Sequence, residues 1–367
     1  MKILIITRSF VREVNELVRY IVHHSELPWT FHLVFPHDAH LEDSLPASVS
    51  MRRMYWSRQI RTACYGPSLL IDFWRFQPDI VQVFEEFSGL LAFQSFVLRS
   101  LVVSNSKALV YSAENILHNV RPVLRPSMRY VMKRASLAFV CSHGVKDVLL
   151  QEGFPAPIEV FPLGVDTNKF YKFPVNRLKR QLKLDEKFVI GYVGRLCEFK
   201  GVFLLLDLMR RLPEHVHLLL IGSGPEEQSL IQRADSYGIK HRVHFAGAIS
   251  YKELPRYMNC IDVGIIPSLT TPYWKEQFGR TIIELMSCEV PVIGSASGSI
   301  PGVIGDGGYI VEEANIQQLH SAVRKLMVSP EESLQIGDKG RKRVLKLYSV
   351  PVMGELFLTM YRKVMLQ

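Results

Sequence analysis

The sequence predicts an α/β protein made of two tandem Rossmann-like domains. The prediction rests on the length of 367 residues, on apolar runs that alternate with helical patterns, and on one polar break in that alternation. Domains typically contain roughly 100–200 residues, so this length favours two of them. Strands that alternate with helices are typical of right-handed parallel α/β sheets. We expect the two domains to comprise residues 1–165 and 166–349.

The first half of the chain alternates from its first residues. KILII at 2–6 is typical of a buried parallel strand, and VREVNELVRYIVHH at 11–24 places its apolar residues at helical spacing. Similar runs, each followed by a helical or loop segment, predict further strands at 29–36, 78–84, 108–114, 137–142 and 158–166. The first domain is therefore expected to be a parallel sheet covered by helices.

The second half repeats the alternation after a polar, basic passage from Asn168 to Lys187, which we interpret as the domain junction. Strands are expected at 187–195, 215–224, 242–248, 262–268, 290–296 and within 302–311. The last helical stretch, from Glu332 onwards, is longer than the second domain needs. We therefore expect residues from about 350 to 367 to form a helix that crosses back to the first domain.

Composition limits the class of protein and its partners. Lysine and arginine number 44 against 35 aspartates and glutamates, and the formal net charge of +9 favours anionic partners. The five cysteines are far apart without CxxC spacing, so we interpret them as reduced packing residues. The start MKILIITRSF does not resemble a signal peptide, and no apolar run reaches the ~18–20 residues of a membrane span. We expect a cytoplasmic protein.

The segment EQFGRTIIELMSCEVPVIG, which begins at Glu276, contains the strongest candidate site. Gly279 lies where a polar loop enters an apolar helical run, and the first N–H groups of a helix attract an anion. Glu276 precedes this helix start, and Glu284 follows it within the first turns. Two carboxylates beside an anion site suit the hydroxyl groups of a sugar nucleotide. The alternative interpretation is an ordinary buried helix with a solvated glutamate on each side.

A second candidate lies in GYVGRLCEFKG at 191–201, where a strand ends and a helix is about to begin. In open α/β sheets, ligands bind at the carboxyl ends of the strands. Arg195, as a planar fork, and Lys200, as a mobile point charge, are suited to clamp a diphosphate there. A pair of solvated loop charges is the alternative.

GYVGRLCEFKG, followed by EQFGRTIIELMSCEVPVIGSASGSIPGVIGDGG, resembles the C-terminal domain of the GT4 family of retaining, nucleotide-sugar-dependent glycosyltransferases. The similarity runs from FPLGVDTNKF to about Val311 and more loosely to the end of the chain. The resemblance implies the GT-B fold, in which two Rossmann-like domains enclose a cleft. It also implies that the first domain binds the acceptor and the second binds the donor.

The resemblance further implies roles for single residues. Arg195 and Lys200 would bind the donor diphosphate, Glu276 the hydroxyls of the transferred sugar, and Glu284 those of the ribose. The candidate donor-binding residues are Arg195, Lys200, Gly222, Gly247, Glu276, Phe278, Gly279, Arg280, Thr281 and Glu284. The candidate catalytic residues are Glu276, Arg195, Lys200 and Glu114. Such enzymes need no metal, and the sequence contains no Asp-x-Asp motif.

The first domain departs from the pattern of the family. TRSFVREVNE, after the first strand, lacks the usual glycines, so Arg8 or Arg12 is a candidate substitute. Where the family often has a histidine, YSAENI offers Glu114 and Asn115, and Glu114 is either a cleft residue or a surface carboxylate. Glu85 or Glu86, in EEFSG, is either an acceptor-facing carboxylate or a capping residue.

We therefore expect a retaining transferase that moves a sugar from a UDP-sugar, with GDP-, ADP- and dTDP-sugars as variants. The acceptor would be a glycan, a lipid-linked glycan or a small molecule. The alternative is a non-catalytic GT-B-like partner subunit or another protein that binds anionic ligands. No nucleic-acid-binding motif is present, so we expect no nucleic-acid partner.

One basic segment suggests a further partner. RRMYWSRQIR at 52–61 interleaves arginines with two aromatic residues, a composition suited to peripheral contact with an anionic membrane. A solvated face with two anchoring aromatics is the alternative.

Overall fold

The computed structural model describes residues 1–25, 27–38, 45–55, 64–117 and 121–366. The chain divides into two compact units. The first comprises Met1–Leu163 together with Val350–Gln367, and the second comprises Gly164–Ser349. Each is a parallel α/β domain.

The first unit is built on a parallel sheet of seven strands among the described residues, in the order β3-β2-β1-β4-β5-β6-β7. Its strands are β1 (Lys2–Thr7), β2 (Thr30–Pro36), β3 (Val49–Met54), β4 (Ile80–Phe84), β5 (Lys107–Ser112), β6 (Leu137–Val140) and β7 (Ile158–Val160). Its helices are α1 (Val11–His24), α2 (Leu69–Phe76), α3 (Leu90–Val102), α4 (Arg125–Arg134), α5 (His143–Gln151) and α14 (Val350–Met365).

The central strands of this sheet are apolar because helices cover both faces of a parallel sheet. Every residue of β4, IVQVF, is buried, including Gln82. The hydroxyl of Tyr361, on α14, is wholly buried and donates to Gln82 Oε1. The C-terminal helix thereby supplies a donor to the buried amide oxygen of Gln82 in the first unit's core.

The edge strand β3 contains the first residues of the basic segment 52–61. Arg52, in β3, donates from Nη1 to Asp72 Oδ2 at 3.0 Å, and Asp72 is only 6% exposed. Arg52, whose side chain is 34% exposed, therefore links the strand to α2. Tyr55 is 77% exposed, and residues 56–61 lie outside the described ranges.

The second unit is a parallel sheet of six strands within its described residues, in the order β10-β9-β8-β11-β12-β13. Its strands are β8 (Phe188–Val193), β9 (Val216–Ile221), β10 (Val243–Gly247), β11 (Val263–Ile266), β12 (Val292–Ser295) and β13 (Gly308–Val311). Its helices are α6 (Asn176–Gln181), α7 (Val202–Met209), α8 (Glu227–Ser236), α9 (Leu254–Met258), α10 (Arg280–Ser287), α11 (Ile300–Ile304), α12 (Ile316–Val328) and α13 (Pro330–Leu347).

Two expected elements end sooner than the sequence suggested. The strand expected over 158–166 stops at Val160. The helical stretch expected from Glu332 to the C-terminus is two helices, because α13 ends at Leu347 and Ser349 pairs with Val165 in an isolated bridge. Pro351 then falls in the first turn of α14, where a missing N–H costs no helical hydrogen bond.

A pair of histidines joins β9 to the edge strand β10. His217 Nδ1 and His244 Nε2 lie 2.8 Å apart, so one of these nitrogens donates and the other accepts. Burial, and then the neighbouring His244, lowers the pKa of His217 to about 4. Burial also lowers the pKa of His244. The folded protein therefore favours the neutral form of both imidazole rings.

Acidification is therefore expected to destabilise the second unit. A histidine with a lowered pKa contributes stability that is complete above its unfolded pKa and is lost as the pH falls through its folded value. The loss should run from the ordinary histidine range, near pH 6.5, down to about pH 4. Thermal melts of His217→Phe should show a smaller drop in Tm over this range than wild type. The exposed His215, replaced in the same way, is the control, and equal drops in both variants would contradict the prediction.

Candidate functional site

The candidate site of the second unit lies where the strand order reverses. Strands β8 and β11 are neighbours, but the chain continues from them to opposite sides of the sheet. Ligands of open α/β sheets bind at such a reversal, beyond the carboxyl ends of the strands. Arg195 and Lys200 follow β8, and Glu276 follows β11. The sheet therefore brings predicted site residues from distant parts of the sequence to one edge.

Lys200 and Glu276 form the central contact of this edge. Lys200 Nζ donates to Glu276 Oε2 at 2.7 Å, and Ser268 Oγ donates to the same oxygen at 2.8 Å. The Glu276 side chain is 9% exposed, so its charge has little access to water. A buried carboxylate of this kind requires hydrogen bonds and an opposite charge nearby. Lys200 and Ser268 supply them.

Arg195 differs from Lys200 in its surroundings. Its guanidinium is exposed, and no ion pair to it is found among the described residues. Its backbone carbonyl accepts a hydrogen bond of 2.8 Å from the hydroxyl of Tyr192, which is buried on β8. The backbone of the loop is thus fixed while the charged group stays accessible to an anion.

Glycines allow a close approach to the backbone of Glu276. Gly279 precedes α10 with φ 81°, a left-handed conformation that favours glycine. Gly298 has φ 54°, and a Cβ there would lie 2.0 Å from the carbonyl oxygen of Glu276. Ser299 N donates to that carbonyl at 3.0 Å. Phe278, beside Gly279, is buried, and Thr281 lies half-buried in the first turn of α10.

Glu284 is paired inside the protein. Arg280 Nε donates to Glu284 Oε1 at 3.1 Å, and the two side chains are 15% and 4% exposed. Arg280 Nη2 also lies 3.4 Å from the hydroxyl of Tyr251. This i, i+4 pair could have been expected from helical spacing, but the sequence interpretation treated both residues only as ligand contacts.

Gly222 and Gly247 lie at the ends of β9 and β10. Gly222 N donates to the carbonyl of Gly247 at 2.8 Å, and a Cβ on Gly222 would lie 2.0 Å from the carbonyl oxygen of Gly194. Only glycine permits this approach of neighbouring strand ends. Gly247 itself has open space around its missing side chain.

Glu114 belongs to the first unit, where further carboxylates lie at the strand ends. Arg8, after β1, contacts both oxygens of Glu85, after β4, at 3.1 and 2.9 Å. Glu86 accepts hydrogen bonds from Ser112 Oγ at 2.6 Å and Ala113 N at 2.7 Å. Burial, and then the charge of Glu114, raises the pKa of Glu86. This group again lies at a reversal of strand order, between β1 and β4.

Two residues beside Glu276 were missed by the sequence interpretation. Ser268 lies two residues after the buried strand β11, a position that could have marked it as a partner for a carboxylate on the same loop. Trp274 lies in the polar run before Glu276, and its ring centroid is 4.6 Å from Lys200 Nζ. A single tryptophan in a polar loop was the available signal.

The described ranges contain neither a candidate metal site nor a candidate membrane span. No group of three or more His, Cys, Asp or Glu side chains in these ranges is placed to hold a metal ion. None of the helices in the same ranges combines the length and apolarity that a membrane crossing demands.

Comparison with protein families assigns both halves of the chain. The model described as "Glycosyltransferase Family 4" matches residues 15–169, and the model described as "Glycosyl transferases group 1" matches residues 175–343. Together these matches cover most of the described fold, and each falls largely within one of the two units.

Individual relatives are similar over part of their length. A GDP-mannose-dependent alpha-(1-6)-phosphatidylinositol monomannoside mannosyltransferase from Mycolicibacterium smegmatis is 29% identical over 60% of this chain and 60% of the relative. The capsular polysaccharide biosynthesis glycosyltransferase CapM from Staphylococcus aureus is 31% identical over 53% of this chain and 52% of the relative. The chain thus spans less than two thirds of the length of these curated relatives.

Solved structures share the fold over nearly the whole chain. Anabaena HepE in complex with UDP has a TM-score of 0.78 at 18% identity and covers 99% of this chain and 100% of its own. A glycosyltransferase from Rickettsia africae has a TM-score of 0.79 at 17% identity, with coverages of 99% and 98%. Two parallel sheets joined in tandem, two adjacent family matches and these relatives lead to one assignment. The chain belongs to the family 4 glycosyltransferases, which have the GT-B fold.

Proposed function

We propose that this protein is a retaining hexosyltransferase that moves a sugar from a nucleotide-sugar donor to an acceptor hydroxyl. One observation carries the proposal. At the strand-order reversal of the second unit, Lys200 and Glu276 lie 2.7 Å apart beside the glycine-led start of α10. A cation, a carboxylate and helix-start amides are the groups that a diphosphate joined to a sugar requires.

The proposed mechanism follows the charge. Cleavage of the anomeric C–O bond develops negative charge on the departing diphosphate and positive charge on the sugar. Preorganised donors at the place where charge develops lower the barrier more than contacts that are equal in the ground state. Arg195, Lys200 and the first amides of α10 serve the diphosphate, and Glu276 holds the hydroxyls of the transferred sugar. We propose that these cations serve without a metal cofactor and that the departing phosphate takes the proton of the acceptor hydroxyl.

The donor is proposed to be a UDP-sugar, with GDP-mannose as the second candidate. HepE, which has the same fold, was solved in complex with UDP. Several relatives are named as GDP-mannose-dependent enzymes. In either case Glu284 is proposed to accept the ribose hydroxyls, with Arg280 beside it. Gly222 and Gly247 would let the base lie against backbone at the ends of β9 and β10.

The acceptor is proposed to bind the first unit. The group formed by Arg8, Glu85, Glu86 and Glu114 offers hydrogen-bond acceptors and one cation to a hydroxyl-rich molecule. The relatives' names include a phosphatidylinositol mannoside and a capsular polysaccharide, which supports a glycan or lipid-linked acceptor. A lipid-linked acceptor would bring the protein to the surface of a membrane.

Substitution of Glu284 should mainly weaken nucleotide binding, whereas substitution of Glu276 should mainly lower turnover. Glu284→Ala is expected to weaken binding of UDP or GDP about tenfold, because a buried carboxylate that accepts ligand hydroxyls is removed. Glu276→Ala is expected to leave nucleotide binding within about threefold and to lower turnover at least about 100-fold. Calorimetry with UDP and GDP measures nucleotide affinity, and hydrolysis of UDP-glucose and GDP-mannose measures turnover.

The matched control is Glu253→Ala, which removes a carboxylate of the same unit whose ion pair with Arg256 is exposed. It should change neither quantity. Wild-type protein that neither binds the two nucleotides nor hydrolyses the two donors would contradict the proposed function. Binding without hydrolysis, even with candidate acceptors, would favour the non-catalytic alternative.

A further inference from the structure

A closed turn precedes Glu276 and carries Trp274. Thr271 N donates to the carbonyl of Trp274 at 2.7 Å, and the two residues form an antiparallel bridge. Thr270, just before the turn, donates from Oγ1 to Glu313 Oε1 at 2.6 Å. The loop is thereby held at its base and across its tip. These hydrogen bonds fix the position of the Trp274 backbone.

The indole of Trp274 contacts both an aromatic ring and a cation. The Phe199 ring centroid is 4.5 Å from that of Trp274, and Lys200 Nζ is 4.6 Å from the Trp274 centroid. Tryptophan has the aromatic face that attracts an ammonium group most strongly. Phe199 is adjacent to Lys200 in the sequence, so the loop after β8 supports the tryptophan from one side and presents the lysine to it.

The indole can hold the ammonium group of Lys200 without adding a second carboxylate that competes with a phosphate for it. Lysine is a flexible point charge with three N–H donors, and a carboxylate that holds it also competes with an incoming phosphate for it. An aromatic face attracts the ammonium group but places no second carboxylate beside it. With one N–H on Glu276 and the ring alongside, donor capacity remains for a second anion.

We propose that Trp274 is a positioning residue that holds the ammonium of Lys200 for the diphosphate of the donor. This inference rests on the proposed function, since it takes Lys200 as a diphosphate ligand. Trp274 acts through Lys200, so its contribution should depend on the presence of the lysine.

A double-mutant cycle tests the proposal with UDP and GDP as probes. Trp274→Leu keeps apolar bulk and removes the ring face, and it should weaken binding of the preferred nucleotide about three- to tenfold. Trp274→Phe keeps a ring and should fall between wild type and the leucine variant. In a Lys200→Ala background, Trp274→Leu should change the affinity less than about twofold, because the partner is already absent.

Tyr273→Leu is the matched control. It replaces an aromatic residue of the same turn whose side chain is 82% exposed, and it should leave nucleotide affinity unchanged. Thermal melts of every variant separate loss of folding from loss of binding, and the Phe variant keeps the test valid if the leucine variant unfolds.

Each result decides a different point. Equal losses from Trp274→Leu with and without Lys200 would overturn the positioning role, because the tryptophan would then act independently of the lysine. So would a phenylalanine variant no better than leucine. If wild type binds UDP or GDP and Lys200→Ala weakens that binding, the proposed role of Lys200 in the donor site stands whatever Trp274 does, and donor hydrolysis still tests the proposed function. If wild type binds neither nucleotide, the proposed function and this inference both fail.

Discussion

Replacement of Lys200 by methionine is expected to lower turnover of the sugar-nucleotide donor roughly 10²–10³-fold, the usual cost of removing one preorganised donor from a developing charge. Two effects add. The departing diphosphate loses a cation, and the Glu276 carboxylate, 9% exposed, loses the ammonium 2.7 Å away. Methionine has similar length and no charge, so it fills the space beside the Trp274 ring. The measurement is kcat/KM for UDP-glucose and GDP-mannose hydrolysis.

The second unit offers a closely matched control. Lys179 is also 24% exposed at its side chain, as Lys200 is, and it also pairs with a carboxylate, Asp262, at 3.5 Å. It lies on α6, away from the carboxyl ends of the strands. Lys179→Met should leave turnover within about twofold of wild type, since it removes a partly exposed ion pair of small energetic value. Equal losses from the two substitutions would show that net charge, not position, determines turnover.

Gly201→Ala is expected to destabilise the second unit by at least about 3 kcal/mol, from a left-handed backbone and a steric overlap together. Gly201 has φ 69°, and a Cβ there would lie 1.9 Å from the carbonyl oxygen of Pro267. Neither atom is the end of a flexible side chain, so one of the two loops must move. These loops carry Lys200 and Ser268, so donor turnover should fall with stability. Chemical denaturation followed by tryptophan fluorescence measures the free energy of unfolding.

Gly238→Ala separates the two causes. Gly238 has the same φ of 69°, but no atom lies within 4 Å of the position of a Cβ. Its substitution should cost only the backbone contribution of about 1–2 kcal/mol. The difference between the two variants then measures the close approach of the loops after β8 and β11. A Gly201 variant as stable as the Gly238 variant would mean that these loops are not packed as closely as the structure places them.

Most strands could be predicted because parallel sheets are covered on both faces. The runs KILII and IVQVF are mostly apolar and show no alternation, and this pattern holds for the central strands of both units. The edge strand β3 could not be found in this way, because VSMRRM contains adjacent arginines. It pairs with β2 in parallel over Val49–Met54, and its Arg52 contacts Asp72 on α2.

The candidate site was predictable as a set of strand ends but not as a set of contacts. Strand order alone places Lys200 and Glu276 at the same edge. Their direct pairing, and the parts of Ser268 and Trp274 beside it, depend on the path of the long loop after β11. Such loops follow no periodic pattern, so their side-chain neighbours cannot be derived from the sequence.

Helix α14 has a consequence for biosynthesis. The first unit needs Tyr361 beside Gln82, yet a whole second unit is translated between the two residues. On the ribosome, Gly164–Ser349 can fold from a continuous stretch of nascent chain. Until α14 is translated, part of the apolar surface of the N-terminal sheet remains uncovered. The domain made first is therefore the domain finished last, and chaperones that bind nascent chains would meet its exposed strands in that interval.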